Sequence, residues 1–275
     1  MKRKINKINR PAFKNILFVS ALAVMAAATL WQAGSIVKKQ KEAQSAFSGC
    51  VDWGLSYQTK NGPPVGNAEN DDLASYDALF MSPDQTAKNV YLTFDAGYEN
   101  GYTEIILDSL KECGVKAAFF LTGHYVKTQP ETVKRMHEEG HLVCNHTADH
   151  PDTTTLSQTD FNAQLTEVED LCMENCGFMP DKFYRPPSGR FDAESLTYAK
   201  ELGYKTVLWS VTYKDWDNDA QKSSEEAVST LMERAHPGAV ILLHATSKTN
   251  SEMLADYINE MKSAGYTFKT LEELF

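Results

Sequence analysis

From Asn89 onward the chain alternates short apolar runs with amphipathic stretches, and most of the apolar runs hand over at their C-terminal end to a polar residue. Strand-like runs fall at 89–94, 116–121, 141–145, 182–185, 204–211, 238–243 and 266–269, and helical patterns at 101–113, 129–139, 157–176, 192–202, 222–235 and 250–264. Gly114, Gly140, Gly177, Gly203 and Gly265 stand just beyond five of these helices, where a chain leaving a helix turns left-handed. The alternation is that of repeated βα units. It predicts an α/β fold, a distorted (β/α) barrel of about seven parallel strands, with an open doubly wound sheet as the alternative because closure leaves no mark in a sequence.

In such a barrel the C-terminal strand ends share one face, so residues far apart in the chain meet there. Asp95 follows 89–94, His146 follows 142–145 with His150 four residues on, Arg185 follows Phe183-Tyr184, Asp215-Trp216 follows 206–211, and His244 follows 240–243. Each has an ordinary structural reading when taken alone. Asp95 in Thr93-Phe94-Asp95-Ala96-Gly97 is suited to a general base, or to a plain turn. His146 and His150 can face one metal ion or one substrate, and Asp149 is a candidate third ligand that a helical segment would point away; catalytic zinc sites normally have three protein ligands and an open position. In Arg185-Pro186-Pro187-Ser188-Gly189 a rigid turn carries one guanidinium, which suits holding a carboxylate in place. His244 reads as a core histidine or as an imidazole tuned by an aspartate.

The ends and the composition set further bounds. Residues 1–42 carry nine Lys/Arg and one Glu, so the rest of the chain is more acidic than the overall net charge of −10. That remainder lacks the basic footprint of a nucleic-acid binder. A basic segment, 1–14, precedes an uncharged run of 23 residues from Asn15 to Val37. The run is long enough to span a bilayer as a signal anchor, and Ala26–Ala28 leaves a cleaved signal as the alternative. Either way the basic flank predicts export, with the bulk of the chain outside the cytoplasm. Residues 38–85 read as a linker and strap of little regular structure, ordered near Trp53 and Tyr76, and 86–275 as the catalytic domain. Cys50, Cys113, Cys144, Cys172 and Cys176 form no CxxC pair, and their odd number leaves at least one thiol free in any single chain.

Residues 89–275 resemble the polysaccharide deacetylases of carbohydrate esterase family 4, the NodB-homology fold. The resemblance rests on TFDAG at 93–97, HTADH at 146–150, RPPSG at 185–189, DW at 215–216 and LLH at 242–244, in that order. YLTFDAGYENGYT, LTGHYV, WSVTYKDW and HPGAVILLH are most similar to the delta-lactam-biosynthetic de-N-acetylases, a likeness reaching back to about Trp53. The resemblance implies hydrolysis of the acetamido group of a sugar in a glycan strand. It implies Asp95 as the base that deprotonates water, Arg185 as the residue orienting it, His244 as the acid protonating the amine, and Asp215 as the partner of His244. It further implies Trp216, Leu242, Gly97 and Pro187 as substrate-binding residues and His146 and His150 as metal ligands.

Two departures bear on the cofactor and the site. Ala96 stands where most of the family has a metal-binding Asp, so a divalent metal such as zinc is expected to be weakly bound or absent, with the histidines then binding substrate. Thr212 replaces the first Asp of DxxDW, and Ala245 follows the last motif histidine where Asp is common. The implied substrate is N-acetylmuramic acid in peptidoglycan, on the route to the muramic delta-lactam of spore cortex. N-acetylglucosamine units in peptidoglycan or chitooligosaccharide are the alternative substrate, and an inert glycan-binding module is the reading of another class. The implied partners are the glycan strand and the membrane, with a monomer expected.

Overall fold

The computed structural model describes residues 47 and 49–275, so the expectations for 1–14 and 15–37 fall outside it. Among the described residues no helix is long and apolar enough to cross a membrane. The central sheet has eight strands: β1 (Ala78–Leu79), β2 (Asn89–Ala96), β3 (Ala118–Leu121), β4 (Leu142–Asn145), β5 (Phe183–Tyr184), β6 (Lys205–Val207), β7 (Val240–His244) and β8 (Thr267–Lys269). Their order is β7-β2-β3-β4-β5-β6-β1, with β8 also paired to β2, and every pairing is parallel. Single bridges from Val211 to Ile241 and from Met81 to Ala239 draw the two ends of the order together. The result is the distorted barrel expected from the alternation.

Side chains on a strand alternate between two faces, and this period places the site. Val90, Leu92, Phe94 and Ala96 of β2 point outward into an apolar layer shared with the surrounding helices, which contribute Ile106, Leu110, Leu254 and Ile258. Tyr91 points inward, meeting Phe120, Cys144, Phe183, Val207 and Val240 from the other strands and Leu271 and Leu274 from the C-terminal turn. Continuing each inward series by two or four residues gives Asp95, His146, Arg185 and His244. One apolar plug at the N-terminal end of the barrel therefore aims all four at its C-terminal mouth.

Two local expectations need correction. The 204–211 run is not one strand: β6 stops at Val207, and 208–211 continues irregularly, its backbone bonding back to Leu79 and Val240. Of the 38–85 stretch, the described residues from 49 on hold more regular structure than their polar, Pro/Gly-rich composition suggests. They contribute β1, a short helix Asn70–Ala74 and two strand pairs, because aromatic anchors outweigh the local turn signals. Val51–Asp52 pairs antiparallel with Arg190–Phe191. Trp53 packs on Phe80 and Phe191 while its indole N–H donates to the Trp209 carbonyl at 3.0 Å. Gly189 makes this crossing possible: with φ at +67°, an added Cβ would lie 2.7 Å from Trp209 and 2.9 Å from Trp53. All five cysteines are free thiols.

Candidate active site

The strand ends converge on a cleft with two lobes of about 500 and 750 Å³, both lined by Asp95, His146, His150, Trp216 and His244. Asp95 and His244 are direct neighbours in the ladder, the last of five consecutive residue pairs between β2 and β7.

On one side lies an aspartate held by a buried arginine. Arg185 has no solvent exposure. Its Nη1 donates to Asp95 Oδ1 at 2.7 Å, Nη2 to the Thr93 hydroxyl at 2.9 Å and Nε to the Val207 carbonyl at 2.9 Å. The guanidinium also stacks on Phe120, 4.1 Å from the ring centroid. Burial alone would raise the Asp95 carboxyl, but the charge of Arg185, helped by His146 and His244, carries it below the ordinary carboxylate range. One oxygen of Asp95 is thus committed to Arg185, and Oδ2 faces His146 Nε2 at 3.7 Å.

His146 is buried, and its Nδ1 lies 2.8 Å from the Arg185 carbonyl. A carbonyl only accepts, so Nδ1 carries the hydrogen and the neutral ring presents the Nε2 lone pair to the cleft. Burial pushes its pKa down to about 4. The 146–150 segment is a loop rather than a helix, with left-handed Thr147 (φ 67°) and His150 (φ 56°). For a β-branched residue that conformation is strained by about 1–3 kcal/mol, and Asn145 offsets it by accepting the Thr147 N–H at 2.9 Å. The turn brings the two imidazole rings to 4.9 Å. Asp149 instead exchanges two hydrogen bonds with Gln164.

On the opposite side lies an imidazole held by a buried aspartate. His244 Nδ1–H donates to Asp215 Oδ1 at 2.8 Å, and the His244 backbone N–H donates to Oδ2 at 2.7 Å. Asn250, in the first turn of helix Lys248–Ser263, donates to Oδ2 at 2.7 Å and to the His244 carbonyl at 3.0 Å, while accepting from Tyr213. Burial acts to lower the His244 pKa, and the Asp215 charge and hydrogen bond overcome it, leaving it raised. Its Nε2 is the free nitrogen and stays protonated to higher pH than an ordinary histidine.

The remaining expected residues divide. Leu242 is buried on the inner face and lines the larger lobe, and Trp216 stands over His244 at a ring distance of 6.0 Å with 55% exposure. Gly97 lines the smaller lobe, where a Cβ would make only an ordinary contact with Thr122, so the residue is not required sterically. Pro187 is buried and does not line the cleft; its neighbours Ser188 and Gly189 do.

The fold and this constellation meet in known proteins. The sequence profile described as polysaccharide deacetylase matches residues 82–207. Peptidoglycan-N-acetylmuramic acid deacetylase PdaA of Bacillus subtilis is 41% identical over 82% of this chain and 85% of its own. Its solved structure, a family 4 carbohydrate esterase, superposes with a TM-score of 0.78 at 40% identity, covering 82% of this chain and 96% of that one. A peptidoglycan-N-acetylglucosamine deacetylase of Bacillus cereus is 34% identical over 74% of each chain. The protein belongs to the polysaccharide deacetylase family.

For a polysaccharide deacetylase the implied metal can be tested against the donors present. His146 Nε2 has a ligand's tautomer, fixed by the Arg185 carbonyl as outer-shell partners fix metal-bound histidines. Ala96, however, is buried in the outer apolar layer with Phe94. Among the described residues no three His, Cys, Asp or Glu side chains are placed to share an ion. The residues do not fit a three-ligand centre. Sequence reading also missed Asn250, a first-turn helix position outside the motifs, and the cleft wall formed by Trp53, Leu55, Tyr57, Trp209 and Arg234. Of these only Trp53, an indole in an otherwise polar stretch, and Trp209, the first residue of WSVTYKDW, had a signal.

Proposed function

We propose that this polysaccharide deacetylase removes the acetyl group of N-acetylmuramic acid in peptidoglycan, with Asp95 as base and His244 as acid. The observation that carries the reading is the opposed pair itself: a carboxylate held ionised beside an imidazole held protonated, on neighbouring strand ends. Asp95 Oδ2 and His146 Nε2 are both acceptors, and their 3.7 Å spacing suits the two O–H bonds of one water. That water gives a proton to Asp95 as its oxygen adds to the amide carbon. His244 Nε2–H then protonates the sugar nitrogen, the C–N bond breaks, and acetate and a free amine leave. Arg185 keeps Asp95 ionised and aimed; Asp215 keeps the His244 tautomer and charge. Trp216 and Leu242 shape the acetyl pocket, with Gly97 on the wall of the other lobe. Zinc held by His146 and His150 alone is expected to bind weakly, and no step above runs through it.

The muramic substrate is supported by the 41% identity to the B. subtilis N-acetylmuramic acid deacetylase. The amine released beside the lactyl carboxyl is then placed to close the muramic delta-lactam of spore cortex. The weaker likeness to an N-acetylglucosamine deacetylase supports that sugar as the second reading. In both the enzyme works at the cell wall, anchored or exported by residues 15–37. Mass spectrometry of peptidoglycan fragments, with and without stem peptides, after incubation with the enzyme or with Asp95→Asn tests the proposal. Acetyl loss from muramic residues with the enzyme alone is the expected result; loss confined to glucosamine residues would select the second reading.

A further inference from the structure

The larger lobe holds a cation that the hydrolysis leaves unused. Arg234 ends the helix Ser224–Arg234, is half-buried, and lines the same lobe as Asp95, His146 and His244. An arginine in a last helical turn ordinarily serves its own helix's free carbonyls. This one turns to another loop, where Nη1 donates to the Thr212 carbonyl and the guanidinium lies 4.2 Å from the Tyr57 ring centroid. The Thr212 N–H in turn donates to the Tyr57 hydroxyl at 3.3 Å, so strap, loop and helix end brace one another. Among the described residues Arg234 pairs with no carboxylate, whereas Arg135, Arg185 and Arg190 each do.

We propose that Arg234, braced by Tyr57, reads the lactyl carboxylate of N-acetylmuramic acid, the group by which that sugar differs from N-acetylglucosamine. The assignment rests on the muramic reading above. The lactyl ether and the acetamido group leave adjacent ring carbons, so a site that cuts one must accommodate the other nearby, and a lobe reaching from Asp95 to Arg234 does so. A guanidinium suits a carboxylate because its planar fork matches the two oxygens, and a half-buried position strengthens the pairing relative to open water. Tyr57 holds the guanidinium face and the Thr212 carbonyl takes one Nη1 hydrogen, so the remaining N–H groups are those the proposal assigns to the ligand.

The test compares glycan strands freed of stem peptides, bearing the lactyl group as the free acid or as its methyl ester, together with chitooligosaccharide. The native enzyme should prefer acid over ester by about ten- to a hundredfold in kcat/KM. Arg234→Gln should abolish that preference by raising KM for the acid with little change in kcat, and should leave the ester rate within about twofold. Arg234→Lys should keep part of the preference, since a point charge replaces the fork. Equal losses on acid and ester in both variants, or a native enzyme indifferent to esterification, would overturn the assignment. A native enzyme that cuts chitooligosaccharide and neither muramic substrate would instead overturn the reading beneath it, and with it the assignment.

Discussion

The two halves of the cleft use one kind of contact, an acidic group against a basic one, to opposite ends. At Asp95 the arginine is the sealed member, without solvent exposure, and the carboxylate is the end that faces the cleft. At His244 the aspartate is sealed and the imidazole faces out, its side chain 26% exposed. A permanent cation behind a carboxylate makes a group that stays deprotonated, whereas a buried carboxylate behind an imidazole makes one that stays protonated. In the proposed mechanism, which partner is sealed decides which half serves as base and which as acid.

The largest break in that comparison comes from removing a titrating atom. Asp95→Asn and His244→Ala should each lower the rate of acetate release by about 10²–10⁴-fold, the range for positioned acid–base groups. Unchanged thermal melting would separate the chemistry from the fold, and near-native turnover in either variant would refute the assigned roles. Next is Arg185→Met, which strands a carboxylate against Phe120 and Thr93. Breaking a buried pair this way costs about 3–5 kcal/mol, read as a lower denaturant midpoint at neutral pH. The Asp95 pKa should rise with it, moving the acid limb of the rate profile to higher pH.

A finer contrast comes from Asp215→Asn, which keeps a hydrogen-bonding side chain and removes the charge. The proposed mechanism needs Asp95 ionised and His244 protonated, so activity should fall as pH drops through the lowered carboxyl pKa and as pH rises through the raised imidazole pKa. Without the Asp215 charge the basic limb should move to lower pH while the acid limb stays; a basic limb that does not move would place its control elsewhere. The smallest effect is expected from Asn250→Ala, which removes one of the donors to Asp215 Oδ2. The loss of stability should be about 1–2 kcal/mol, with a small upward drift of the basic limb as Asp215 exerts its charge more freely. Calorimetric melting and a pH–rate series would check both.

How much of this could be read from the chain depends on whether a residue inherits its place from a repeating pattern. Asp95, His146, Arg185 and His244 do, because each extends the inward series of its strand, and apolar runs advertise strands. Asp215 lies in an irregular loop after β6 and was legible through its motif alone. Asn250 and Arg234 sit on helices whose sequences give no sign of a polar duty. Their roles come from the loops those helices face, contacts of long sequence separation that no local pattern encodes. Pro187 shows the converse: a motif residue whose neighbours reach the cleft while it packs beneath. The strand β1 escaped notice because two residues carry no periodicity.

The ladder that makes Asp95 and His244 neighbours also separates what can vary from what cannot. Adjacent strands lie about 4.8 Å apart, and five successive pairs lock this register, so no change in a loop alters the spacing of base and acid. Trp53, Leu55, Tyr57, Trp216 and Arg234 border the same space from the strap, a loop and a helix end, outside that lattice. On the proposed assignment the molecule is a fixed cutting edge in an exchangeable grip: substitutions in the grip should retarget it from one amino sugar to another without retuning the reaction, and a descendant with a new substrate should differ first there.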